Sequence, residues 1–110
     1  MKRLFIFFSL IVSINVLSNF QEALIIDVRS EAEWDQGHLV RAERINWDEI
    51  SNKISNIAPD KNKNIILYCR SGNRASKAMK VLIEMGYTNI TNAGSMESAK
   101  ELTNDVVVRD

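Results

Sequence analysis

Apolar and polar positions fall into short blocks along this chain. Ala23-Leu24-Ile25-Ile26-Asp27-Val28 is a compact apolar run and predicts a buried strand. Ser30-Glu31-Ala32-Glu33 follows with the spacing of a capping box, in which a serine hydroxyl and a glutamate three residues on satisfy each other's backbone N–H groups. A short helix is predicted there, stopped by Gly37. Ala42 to Ile45 predicts a short strand. Asn46 and Glu49 form a second cap-like pair, and Trp47, Ile50, Ile54 and Ile57 continue at helical spacing. Pro59-Asp60-Lys61-Asn62 is turn chemistry.

Ile65-Ile66-Leu67-Tyr68 is the clearest strand, and Ser71-Gly72-Asn73 a tight loop after it. From Arg74 to Met85 the pattern is helical: Ala75, Ala78, Met79 and Leu82 form one stripe, while Ser76, Lys77, Lys80 and Glu84 lie opposite. Met79 and Met85 read as core. Gly86 ends this helix, Asn89 to Asn92 predicts a short strand, and Ser95 caps a last helix through Leu102 with Met96 and Ala99 inward. Trp34 and Trp47 read as core or pocket wall. Val106-Val107-Val108 is apolar and β-branched, yet the pattern assigns it no place. Strands alternating with helices predict an α/β fold: a central parallel β-sheet flanked by helices on both faces.

The first residues follow a different logic. Lys2 and Arg3 open the chain, Leu4 to Val12 is almost continuously apolar, and Val16-Leu17-Ser18 ends in a small residue. This is the layout of a secretory signal peptide. The expectation is cleavage after Ser18, giving an exported, periplasmic domain over residues 19–110 with no stable membrane insertion. Ser13 and Asn15 interrupt the apolar stretch, which falls short of the roughly 20 residues a bilayer span needs.

Length and charge narrow the rest. With 110 residues there is room for one domain, and 45% apolar with 25% charged residues is the balance of a globular chain. The 14 basic and 14 acidic residues cancel, which argues against a nucleic-acid partner. The single cysteine forms no internal disulfide and no multi-cysteine metal site. No metal and no cofactor are expected. Cys69 is then either a small buried hydrophobe or a reactive thiol.

Its context favours the thiol. Cys69-Arg70-Ser71-Gly72-Asn73-Arg74 joins a buried strand to an amphipathic helix, at the strand end where open α/β sheets bind ligands. Gly72 and Asn73 tolerate left-handed backbone angles, so the turn can aim successive N–H groups inward as an anion nest. The helix N-terminus adds its dipole, and Arg70 and Arg74 add charge. Together they favour thiolate over thiol without a separate base. A phosphatase-type cradle needs an arginine six residues after the cysteine. Ala75 stands there and Arg74 comes one residue early, so the loop suits a smaller cargo carried on the sulfur. His38, the only histidine, is either the partner of a Cys-His pair or a hydrogen-bonding lock on the turn after Gly37; the second reading is preferred.

These residues resemble the rhodanese-like domain family. Cys69 to Arg74 is similar to its cysteine-headed six-residue loop, and Ile26-Asp27-Val28-Arg29 to its strand ending in Asp-x-Arg. Gly37-His38-Leu39 with Ala42, Met85-Gly86-Tyr87 and Asn92-Ala93-Gly94 resemble its later segments, so the likeness runs from about residue 23 to 99. Ala93-Gly94 departs from a double glycine, and Ala99 stands where many members have tryptophan. The resemblance implies a small exported single-domain sulfurtransferase that moves sulfane sulfur from thiosulfate, or a related donor, to cyanide or a thiol through a persulfide on Cys69. Arg70, Ser71, Gly72, Asn73 and Arg74 would form the substrate and persulfide loop, and Asp27, Arg29 and His38 would give structural support. The partners expected are thus small molecules, a sulfur donor and an acceptor. Three rival readings remain: a non-enzymatic persulfide carrier or anion-binding module, a phosphatase-like or arsenate-type anion enzyme, and a redox thiol that works with a partner molecule.

Overall fold

A computed structural model describes residues 22–110; the leader-like segment 1–18 lies outside the described residues. Four parallel strands form the central sheet in the order β3-β1-β4-β5. They are β1 (Leu24–Asp27), β3 (Ala42–Arg44), β4 (Ile65–Cys69) and β5 (Ile90–Ser95). Asp27 lies opposite Arg44 on one side and Tyr68 on the other, and Cys69 opposite Ser95 after a one-residue shift in the β4–β5 register.

Alternation along β1 and β4 divides the core in two. Ile26, Ile65, Leu67 and Cys69 face one layer, with Ile50 and Ile54 from helix α2 (Ile50–Ile57) and Ala75, Ala78 and Leu82 from helix α3 (Asn73–Glu84). Ile25 and Tyr68 face the other, against Leu39 and against Ala99 of helix α4 (Met96–Thr103). Each fully buried Leu or Ile contributes on the order of 2 kcal/mol. β4 is buried at every residue, as expected for the middle of a parallel sheet covered on both faces. Met79 and Met85 pack against the first layer half-buried, and so does Trp47.

The capping chemistry holds at two of three places. Ser30 caps α1 (Glu31–Asp35) with a complete capping box, and Ser95 caps α4 by accepting the Ser98 N–H. Asn46 and Glu49 do not act as a cap. Trp47–Glu49 is instead a turn of 3-10 helix that leads directly into α2, with no side-chain cap on either element. The fourth predicted strand starts at Ile90 and runs on past Asn92 to Ser95, with a bulge at Ala93, which is passed over between the Leu67 and Tyr68 pairings.

The triple valine finds its place. β6 (Val107–Val108) pairs antiparallel with β2 (His38–Leu39), a two-residue strand that the pattern did not announce, and Val40 donates its N–H to Val106. This small ladder lies on the α4 side of the sheet. No helix among the described residues is long and apolar enough to cross a membrane.

Candidate active site

Cys69 is the last residue of β4, and its own residue is only 1% exposed. The chain then turns through Arg70, Ser71 and Gly72 into α3. Gly72 takes φ +97°, a left-handed angle that an L side chain resists, and so reverses the backbone over the sulfur. A Cβ at this position would also come within 3.2 Å of Gly94 Cα on β5.

The reversal turns backbone donors inward. The Gly72 N–H donates to Cys69 Sγ at 3.0 Å. Burial pushes the thiol up, but the N–H groups of Ala75, Gly72, Ser71 and Arg74 outweigh it, and the Cys69 pKa lies below the ordinary thiol value. Two elements supply these donors, the turn and the first residues of α3, so the dipole of the helix acts in the same direction.

The two arginines of the loop part company. The Arg74 guanidinium forms a two-pronged ion pair with Glu33 of α1, at 2.6 and 3.0 Å. Glu33 also accepts from the Ser30 N–H as part of its capping box. Arg74 and Ser30 together hold the Glu33 carboxyl down at about 2 against the opposing effect of burial. Arg74 therefore offers the sulfur its backbone rather than a free guanidinium. Arg70 is exposed and makes no ion pair among the described residues. With Arg29, Glu33, Gln36, Gly37 and Met96 it lines a cleft of about 360 Å³. Cys69 lies beneath the loop and is not part of that wall. Ser71 and Asn73 are exposed; Ser71 contributes its N–H to the sulfur, and Asn73 is the first residue of α3.

The supporting residues lie beside this loop. At the end of β1, Asp27 accepts from Arg29 through Nε (2.9 Å) and Nη2 (2.7 Å), and also from the Arg29 backbone N–H (2.9 Å). Arg29 Nη2 reaches on to the Gly37 carbonyl at 2.7 Å, and its guanidinium lies over the Tyr68 ring. His38 is buried, stacks on Trp34 with ring centroids 3.4 Å apart, and bonds Leu39 O through Nδ1 and Asp110 Oδ2 through Nε2. Both ring nitrogens are thus engaged away from Cys69, which favours the lock on the turn over a Cys-His pair.

Two partners of the loop escaped the sequence reading. Glu33 was legible only as a cap, because Arg74 lies 41 residues away. Asn92 bonds the Gly72 carbonyl through Nδ2 (3.0 Å), and no local motif announces it.

The fold is thus an α/β domain in which a strand-end cysteine lies under a turn whose N–H groups favour its thiolate. The comparisons with known proteins specify the class. The model of the rhodanese-like domain matches residues 14–101, and the chain belongs to that family. The match begins within the leader-like segment. Thiosulfate sulfurtransferase PspE of Escherichia coli (strain K12) is 38% identical over 72 residues, covering 66% of this chain and 69% of that protein. A sulfurtransferase of Allochromatium vinosum is 32% identical over 76 residues, covering 69% of each. A solved structure of a rhodanese with anions from E. coli superposes with a TM-score of 0.72 at 32% identity, covering 80% of this chain and 99% of that one.

Proposed function

We propose that this protein is a sulfurtransferase whose nucleophile is Cys69, with thiosulfate as donor and cyanide or a thiol as acceptor. One observation carries the reading: a buried thiol whose pKa is lowered by the N–H groups of its own loop, with Gly72 N at 3.0 Å. The names of the two relatives support the reaction class.

The chemistry is covalent and in two steps. The Cys69 thiolate attacks the outer sulfur of thiosulfate. A new S–S bond forms to Sγ, the S–S bond of thiosulfate breaks, and the electron pair leaves with sulfite. The negative charge now rests on the outer sulfur of a Cys69 persulfide. The carbon of cyanide then attacks that sulfur, thiocyanate departs, and the electron pair returns to Sγ as thiolate; an acceptor thiolate takes the same sulfur to give its own persulfide. The loop donors stabilise each anion without a proton transfer. Arg70 at the cleft draws the dianionic donor, while the deep position of Cys69 favours a donor whose reacting end is a single small atom. Asp27, Arg29 and His38 hold the ends of β1 and β2 beside the loop.

Residues 1–18 direct export in this reading, and a processed N-terminus at Asn19 in a periplasmic fraction is the expected result. The central test is intact mass after incubation with thiosulfate. The expected result is a gain of roughly 32 Da, reversed by cyanide with release of thiocyanate and absent from Cys69→Ser. A folded, alkylatable protein that gains no mass would remove thiosulfate as donor and leave an anion-binding module or another sulfur source.

A further inference from the structure

Asn92 reaches the loop from the edge strand. Its amide is held at both ends: Oδ1 accepts the Gly94 N–H at 2.9 Å, and Nδ2 donates to the Gly72 carbonyl at 3.0 Å. Those neighbours have fixed polarity, one a donor and one an acceptor. A flipped amide would set donor against donor and oxygen against oxygen, so the orientation is determined. The bulge makes the reach possible. Leu67 pairs with Asn92, then Tyr68 pairs with Gly94, and Ala93 is passed over. The turn of β5 at Gly94 also leaves room for Gly72, which could not carry a Cβ there without coming within 3.2 Å of Gly94 Cα.

Gly72 is the pivot of the loop. Its N–H points at Cys69 Sγ, and its carbonyl accepts from Ser76 N and from Asn92. Fixing the carbonyl fixes one side of a residue held at φ +97°, and thereby the direction of the N–H on its other side. We infer that Asn92 is a positioning residue for Cys69: it holds Gly72 in its left-handed turn and so keeps the loop's N–H groups on the sulfur. The inference rests on Cys69 being the nucleophile. Asn92 itself touches neither the sulfur nor the cleft wall.

The test is the pH profile of Cys69 alkylation by iodoacetamide, a readout that requires no turnover. In Asn92→Ala the midpoint moves up, and alkylation below the wild-type midpoint slows about three- to tenfold, because the thiolate is the reacting species. Above the ordinary thiol range the two proteins react alike. A lower unfolding midpoint with an unchanged profile would reduce Asn92 to a structural residue and overturn the inference. If Asn92→Ala does not fold, Asn92→Asp keeps an acceptor for Gly94 and faces the Gly72 carbonyl with oxygen. A midpoint shift that persists in high salt supports the positioning role, and one that salt abolishes is bare charge and overturns it. Failure of the function proposed above is distinct: there the wild-type protein would gain no mass from thiosulfate, whatever the alkylation profile of the Asn92 variants.

Discussion

Two neighbouring strands of the sheet end in buried polar groups and treat them in opposite ways. At the end of β1, Asp27 is fully buried and meets Arg29 two residues later, so charge is cancelled by charge at 2.7 Å. At the end of β4, Cys69 is as deeply buried, but its direct partners among the described residues are the backbone N–H groups of its own loop. The guanidinium of Arg74, which follows in the same loop, is engaged by Glu33. The first arrangement is closed: every charge has a partner, and nothing is left for a ligand. The second stabilises a negative charge without consuming it, which is what a nucleophile requires. One parallel sheet thus places a sealed ion pair beside an open anion site.

The most direct way to break this comparison is to remove the sulfur. Cys69→Ser is expected to abolish persulfide formation and sulfur transfer to background, measured as thiocyanate release, with little change in fold. A serine hydroxyl accepts the same N–H groups but does not ionise in this pH range. The loss therefore also appears in stability against pH. The folded-state pKa of Cys69 is lowered, so its thiolate adds stability that is complete above the unfolded thiol value of about 8.5 and fades as pH falls through the folded-state midpoint. Urea midpoints of wild type and Cys69→Ser taken across that window should converge on the acid side.

The sealed end should respond in the reverse manner, with large effects on stability and small ones on the thiolate. Asp27→Asn leaves the Arg29 guanidinium buried without its carboxylate, a loss of about 3 kcal/mol by urea unfolding. Asp27→Leu combined with Arg29→Met should cost less than either single change, since no charge is then stranded. If the single change were harmless, the pair would not be holding the end of β1. In both proteins the Cys69 alkylation profile should keep its midpoint, because the donors on the sulfur are backbone groups of the turn after β4 and of the start of α3.

The sequence makes the open site more legible than its surroundings, and the reason is distance along the chain. Cys69, Gly72 and Arg74 lie within six residues, and the chemistry of such a loop is local: a glycine for the reversal, a helix start for the donors. Asp27 and Arg29 are equally local. Ser30 and Ser95 declare their caps for the same reason. What was illegible is what the sheet brings together from afar. Arg74 reads as free rim charge until the fold places Glu33 beside it, and Asn92 lies 20 residues from the carbonyl it holds. The β2–β6 ladder is two residues long, too short for any periodicity, and joins segments that only the finished fold brings side by side. Asn46 fails for a subtler reason: a 3-10 turn begins where a cap was expected, and backbone carbonyls take its first donors, Val28 that of Trp47 and Asn46 that of Glu49.

Gly72 is where the two ends can be told apart within the loop. Gly72→Ala puts a Cβ on a residue at φ +97° and brings it to 3.2 Å from Gly94 Cα. The strain should cost about 1–2 kcal/mol, and relief of that strain turns the N–H away from Sγ. The expected pair of results is a lower unfolding midpoint and a raised alkylation midpoint. An alanine variant with unchanged titration would mean that the remaining N–H groups suffice for the thiolate.

The smallest effect concerns the clamp between α1 and α3. Glu33 has its pKa lowered to about 2 from 4.5, chiefly by Arg74, against the raising effect of burial. A lowered carboxyl adds stability that is complete above pH 4.5 and is lost as the pH falls toward 2. Glu33→Gln keeps hydrogen-bonding oxygen for Ser30 and Arg74 but cannot ionise, so its stability curve should be flatter than wild type through that acid window, with a deficit of under about 1 kcal/mol at neutral pH for a pair this exposed. Without the carboxylate's charge, the Arg74 guanidinium is a second cation of the loop, with Arg70, whose charge is not neutralised by Glu33. The thiosulfate KM of this variant should then fall modestly and become more sensitive to salt, while the Cys69 alkylation midpoint stays put or moves slightly down. A KM that rises instead would mean that Glu33 holds the loop's shape as well as its charge.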